Sequence, residues 1–241
     1  MLPMSMPGGT KVVKLASPPQ TLPALLAATR KNKLGVAAAV QAAIMLVTRE
    51  MAPEGLAKQD YSTVAFFDHR KYLKKPYTDT GAWPMGVWMI GLPISQPEGD
   101  FATTARDMQA IYGQDMSVDE CSALSWYDGF CARMVQLLSS PMPEGVPPPT
   151  QPQLSSIGPV DGKVKTQYQG KISFGVKSVE IILDNMAASI MVFQWYDISL
   201  FHNILYGPAC VPRRLVESMK RNLHAVTTII ERIHWFPKYH C

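Results

Sequence analysis

The chain has 241 residues, 47% of them hydrophobic and 17% charged, enough to bury a full core in one large domain or two small lobes. Its net charge of +4 is spread along the sequence, densest over 70–75, and no aromatic residues interleave with basic ones as a nucleic-acid groove requires, so nucleic acid is not an expected partner. Cys121, Cys131, Cys210 and Cys241 have neither zinc-ligand spacing nor the density of a disulfide scaffold, which predicts free thiols in a reducing, cytoplasmic compartment and no metal.

Residues 1–20 read as a loose leader, broken by Pro3, Pro7 and a Gly8-Gly9 pair and lacking the apolar core of a secretory signal. A first helix is predicted over 21–31, with Thr21 as its cap, and a second over 34–51. The second is apolar on nearly every side, Gln41 being the only polar interruption before Thr48, so it should be buried against a sheet. Its most apolar run, 34–47, is shorter than the roughly 18 to 20 residues needed to span a bilayer, and no membrane span is expected. Strands are predicted over 61–69 and 85–95, in one sheet. Asp100 caps a helix running to about Met116, with Phe101, Ala105, Met108 and Tyr112 on one face. A further helix, about 118–140, holds Trp126 and an interior Gly129, and the proline-rich loop 141–153 follows.

The stretch 154–206 is the one around which the rest is organised. It reads as consecutive strands: 154–158 ending at Gly158-Pro159, 172–183 rich in β-branched residues, then 189–196 and 199–206 with only Asp197 and Ile198 between them. A final helix has Pro212 in its first turn and an apolar stripe of Leu215, Met219, Leu223, Val226, Ile230 and Ile233, with His224 on its polar side. The fold class is therefore α/β, a mixed β-sheet packed by helices.

The buried helix 34–51 followed by Phe66-Phe67-Asp68-His69-Arg70-Lys71-Tyr72-Leu73, then Leu154-Ser155-Ser156-Ile157-Gly158, then the run 172–180 and the paired strands resemble the C-terminal half of the chloramphenicol-acetyltransferase-like superfamily. That superfamily includes CoA-dependent plant acyltransferases, fungal alcohol and trichothecene acetyltransferases, and peptide-synthetase condensation domains. The resemblance covers most of 21–235 and implies a single acyltransferase-like lobe over 21–241. Two departures qualify it. The family's catalytic histidine sits in an HxxxD motif of the other half, where it deprotonates the acceptor. None of His69, His202, His224, His234 and His240 begins such a motif, and Asp128 has Leu124 four residues before it. Ser173-Phe174-Gly175 resembles the plant enzymes' structural DFGWG motif with Ser173 for the Asp and Val176 for the Trp.

The resemblance implies that the sheet forms one wall of a substrate cavity between two lobes. Loss of one lobe would expose that wall, so a homodimer or a covering partner chain is expected. Ser155 and Ser156 resemble the family's polar positions facing the tunnel, where a hydroxyl can donate to a substrate carbonyl. Ser156, His202 and Tyr196 are the expected catalytic residues, and Ser155, Gln194, Trp195, Asp197 and Trp126 the expected substrate contacts. Asp197 and His202 near one hairpin offer an acid–base pair against a capped turn and a satisfied core histidine. Asp68 and Arg70 suggest a structural ion pair.

No Gly-rich phosphate loop, nucleophile elbow, HExxH or paired carboxylates occur, and no cofactor is expected. Fourteen Met and nine Tyr suit an adaptable apolar surface and an apolar small-molecule substrate. Three readings follow: a secondary-metabolism enzyme that cyclises a terpenoid or polyketide by positioning and carbonyl hydrogen bonding, a CoA-dependent O-acyltransferase with its histidine lobe on another polypeptide, and a non-catalytic binding or scaffold protein.

Overall fold

The computed structural model describes residues 10–73, 75–76, 78, 89–115, 128–133, 135–136, 151–160, 164–165, 167–176, 179–180, 191–196 and 200–206. Within them α1 (Thr21–Lys31) and α2 (Val36–Met51) form the base on which the strands rest. Helix α1 is amphipathic and buries Thr21, Leu22, Leu25 and Thr29. Thr21 was expected to cap it, but Gln20 holds the cap position without a side-chain bond, and the Thr21 hydroxyl is buried with no partner. The four buried residues recur at one-, three- and four-residue steps, so Thr21 belongs to the apolar face and is drawn inside. Helix α2 buries every residue from Ala38 to Met45, and Val47 as well. Its alanines keep the helix narrow, so neighbours pack closely on more than one side.

On one side of α2, Val40, Ile44 and Val47 meet Leu22 and Leu25 of α1 and Leu154 and Val192 of a four-stranded sheet. On another, Ala38 and Met45 meet Tyr61 and Met108. The four-stranded sheet contains β1 (Lys11–Ala16), β4 (Gln153–Pro159), β7 (Met191–Tyr196) and β8 (Leu200–Tyr206), in the order β1-β8-β7-β4. Strands β1 and β8, and β8 and β7, are antiparallel, while β7 and β4 are parallel, so the sheet is mixed as expected. Strands β2 (Tyr61–Asp68) and β3 (Met89–Gln96) pair antiparallel in a sheet of their own. The short helix α3 (Glu54–Ala57) links α2 to β2.

Two strand expectations need correction. Residues 11–16, read as part of a loose leader, form β1 and pair along their whole length with β8. Val13 and Leu15 pack against the core while Lys14 and Ala16, on the opposite face, are exposed, a half-buried alternation hidden by the flanking prolines and glycines. Conversely, the β-branched run 172–183 is not one long strand. Among its described residues Phe174–Gly175 form a short strand (β6), paired with Gln167–Tyr168 (β5), and the others lie in no strand. Strand propensity records fitness for a pleated surface, not the presence of a neighbouring ladder.

Helix α4 (Phe101–Tyr112) begins as expected at Asp100, whose Oδ1 accepts from the Thr103 N–H at 2.7 Å, and ends before Gly113. It docks on α2 through Met108, and its Gln109 Oε1 accepts from the Gly35 N–H at 2.5 Å. The Thr103 backbone bond holds the Asp100 carboxyl below its ordinary value, helped by the Thr103 hydroxyl. A depressed native pKa contributes stability above the unfolded value of about 3.9, and that contribution is lost as pH falls through the native value. Asp100→Asn keeps a capping oxygen without the titration. Thermal unfolding followed from neutral pH down through the carboxylate range should therefore fall less steeply in the variant, and identical slopes would exclude the cap as a pH-linked element.

The helix expected over 118–140 is helical at 128–133 and 135–136. Residues 116–127, including Trp126, and the final helix from Pro212 lie outside the described residues. No single helix among the described residues is long and apolar enough to cross a membrane. The α1–α2 pair passes such a test only jointly, is bent by 101°, and has α2 largely buried inside the protein.

Candidate functional site

Strand register determines which of the expected site residues can meet. Ser156 is opposite Gln194, Gln194 is opposite His202, and His202 is opposite Leu15, so four strands contribute one cross-strand row. The row two residues away consists of Leu154, Val192, Ile204 and Val13. Leu154, Val192 and Val13 pack on α1 and α2, as does Leu15. Because side chains repeat every second residue along a strand, the Ser156–Gln194–His202 row belongs to the face covered by those helices. The intervening row of Ser155, Phe193, Asn203 and Lys14 belongs to the opposite face. Ser155 is buried there at 8% exposure, and Lys14 forms an ion pair with Glu180.

The expected set is thus divided. Ser156, Gln194 and His202 occupy adjacent register positions on three neighbouring strands, a placement that depends on strand pairing and not on local sequence. Tyr196 belongs by parity to the same face, at the end of β7 opposite Leu200 and Pro159. Trp195 belongs with Ser155 to the other face. Asp197 and Trp126 lie outside the described residues, so the Asp197–His202 pair is not defined. A bulge follows the serines, where the register shifts between Ser156 and Gly158 and leaves Ile157 as the extra residue. Gly158 has φ +75°, a left-handed conformation that glycine adopts without penalty. The segment Ile157-Gly158-Pro159 therefore closes β4 by re-aiming the chain just beyond Ser156.

A second polar region lies at the C-terminal end of α2, around a cavity of about 220 Å³ whose walls include Thr48, Arg49, Leu56, Asp60, Tyr61 and Pro152. Arg49 Nη2 donates to the Gln96 carbonyl at 2.6 Å, and Gln96 Nε2 donates to Asp107 at 2.8 Å. Arg49 Nε and Nη1 are buried without partners. The sequence signal for this region is Arg49, a lone cation in the last turn of an otherwise apolar helix. Burial pushes the Tyr61 hydroxyl well above its ordinary value and that of Tyr112 up to about 12, so both stay neutral near pH 7 and neither serves as a base there. The Tyr61 hydroxyl donates to the Pro152 carbonyl at 2.7 Å, tying β2 to the residue before β4. Tyr61→Phe should lower stability by about 0.5–1.5 kcal/mol in urea unfolding. No change would mean that the 3.4 Å contact of Thr63 Oγ1 already satisfies that carbonyl.

Asp68 and Arg70 form the expected ion pair, with the Arg70 N–H donating to Asp68 Oδ1 at 3.0 Å and Nη1 lying 3.4 Å from Oδ2. It is solvent-exposed and adds little stability. Among the described residues no three His, Cys, Asp or Glu side chains gather as a metal site.

No family model matches the sequence. The chain is 22% identical over 235 residues to the O-acetyltransferase pigM of Monascus ruber, a match covering 92% of this chain and 44% of that protein. Its structure is similar to that of the trichothecene 15-O-acetyltransferase from Fusarium sporotrichioides, with a TM-score of 0.69 and 10% identity, over 92% of this chain and 47% of the other. The first condensation domain of the calcium-dependent antibiotic synthetase superposes with a TM-score of 0.57 and 12% identity, over 92% and 45%. The chain spans about half the length of each of these proteins.

Proposed function

We propose, for a chain that carries the fold of about half of a chloramphenicol-acetyltransferase-like protein, that it forms one wall of a CoA-dependent O-acyltransferase of secondary metabolism. The observation that carries this reading is that similarity in sequence and in structure extends over 92% of the chain, and that both similar proteins named for acetylation are O-acetyltransferases. In such a reaction a base takes the proton of the acceptor hydroxyl and the oxygen attacks the thioester carbonyl. The carbon–sulfur bond of the tetrahedral intermediate then breaks, and the thiolate recovers the proton. The 241 residues contain no HxxxD motif, so the base belongs to the complementary half of the fold. The contribution assigned to this chain is shape and hydrogen bonding. Ser155, buried on the sheet face turned away from α1 and α2, is assigned as a donor to the thioester carbonyl.

Ring closure in an acyltransferase-type cavity is the competing reading, because it needs no base. Deleting the gene from its native host separates them. Accumulation of a compound lighter than the normal product by one acyl group supports acyl transfer. An isomer of the product lacking a ring would replace this reading with cyclisation, and a lower yield with no new compound would leave a binding protein.

A further inference from the structure

Helix α2 ends in a charge that its surroundings leave unmatched. Arg49 Nη2 donates to the Gln96 carbonyl at 2.6 Å, while Nε and Nη1 are buried without acceptors. Their N–H bonds have lost water with nothing in its place, a costly state for a cation until an acceptor arrives. The two carboxylates of this region are engaged elsewhere: Asp60 accepts from the Ser95 hydroxyl at 3.2 Å and Asp107 from Gln96 Nε2 at 2.8 Å. Neither forms an ion pair with Arg49, since the ion pairs among the described residues are Lys14–Glu180 and Arg70–Asp68.

Arg49 borders the cavity of about 220 Å³ at this end of α2, the volume of about seven waters at about 30 Å³ each. Met51, Ala52, Pro53, Leu56 and Pro152 give its walls a largely apolar character. Leu56, 54% exposed on the four-residue α3, marks the open side. An apolar lining with a few placed polar groups is the usual form of a small-molecule site. We propose that this cavity binds a small monocarboxylate, its head on the Arg49 guanidinium and its short apolar body against Met51, Pro53 and Leu56. The planar guanidinium suits a carboxylate through paired N–H···O bonds. Nε and Nη1 are shielded from solvent, so a carboxylate that meets them through a turn of the guanidinium on its flexible stem does so away from water, where such bonds are strong. Asp60 on the same wall repels further negative charge, which selects a monoanion over phosphate or sulfate. The proposal does not rest on the acyltransferase reading, which uses none of these residues.

Calorimetric titration of the purified full chain with sodium butyrate at constant ionic strength tests this. Saturable one-to-one binding with a Kd of about 1 mM is expected, well within what a ligand of about six non-hydrogen atoms can supply. Butyramide, the neutral isostere, should bind at least about tenfold more weakly, as should butyrate to Arg49→Gln, because each loses a charge-assisted hydrogen bond. Leu56→Asp, an exposed change that leaves the fold intact even where Arg49→Gln does not, should also weaken butyrate at least about tenfold, through like charge and lost apolar contact. No saturation by about 100 mM butyrate, equal affinity for butyramide, phosphate binding as tightly as butyrate, or unchanged affinity in the folded variants would each overturn the proposal.

Discussion

Ile44→Ala is expected to destabilise the protein by about 2–5 kcal/mol. Ile44 is 1% exposed, in the cluster where α2 meets Leu22 and Leu25 of α1 and Leu154 and Val192 of the sheet. Truncation leaves a cavity that cannot easily collapse, because the far side of α2 is held by Met108 of α4 and Tyr61 of β2. For a chain of this size each kcal/mol moves Tm by about 2–4 °C, so thermal unfolding should shift by several degrees at least. Lys31→Ala, at an exposed position, is the control with little effect. A loss at Ile44 no larger than at Lys31 would mean that α2 is not the joint between the two packed layers.

The elements that depend on local pattern were legible. The boundaries of α1, the all-round burial of α2, the pairing of β2 with β3 and the Asp100 cap follow from periodicity and side-chain chemistry at adjacent positions. The elements that depend on a distant partner were not. Strand β1 exists because β8, nearly 200 residues away in sequence, supplies its ladder, and the run 172–183 fails as a long strand although its composition suits one. The same limit governs the site. Sequence picks out Ser155 and Ser156 together, but neighbours on a strand point to opposite faces. Which serine faces the helices depends on the parity linking Ser156 to Leu154, and that is fixed only when Leu154 is found buried against α2. In the sequence His202 is a histidine near an aspartate, whereas register places it opposite Leu15 and Gln194, in a row on the helix-covered face.

Supplying the HxxxD-bearing half is expected to raise acyl transfer from acyl-CoA to a hydroxyl acceptor by about 10²–10⁴-fold over the 241-residue chain alone, the usual contribution of a positioned general base. Tyr61 and Tyr112 cannot replace that base, since burial keeps both hydroxyls protonated near neutral pH. In the reconstituted enzyme the two sheet faces should respond differently. Ser155→Ala removes the assigned carbonyl donor and should lower kcat by about 10²–10³-fold, as loss of one oxyanion donor does, with KM little changed. His202→Ala, on the helix-covered face, should alter thermal stability and leave kcat as it was. If His202→Ala abolishes turnover while Ser155→Ala does not, the reacting groups lie on the α1–α2 side of the sheet, and the wall assigned to this chain is the wrong face.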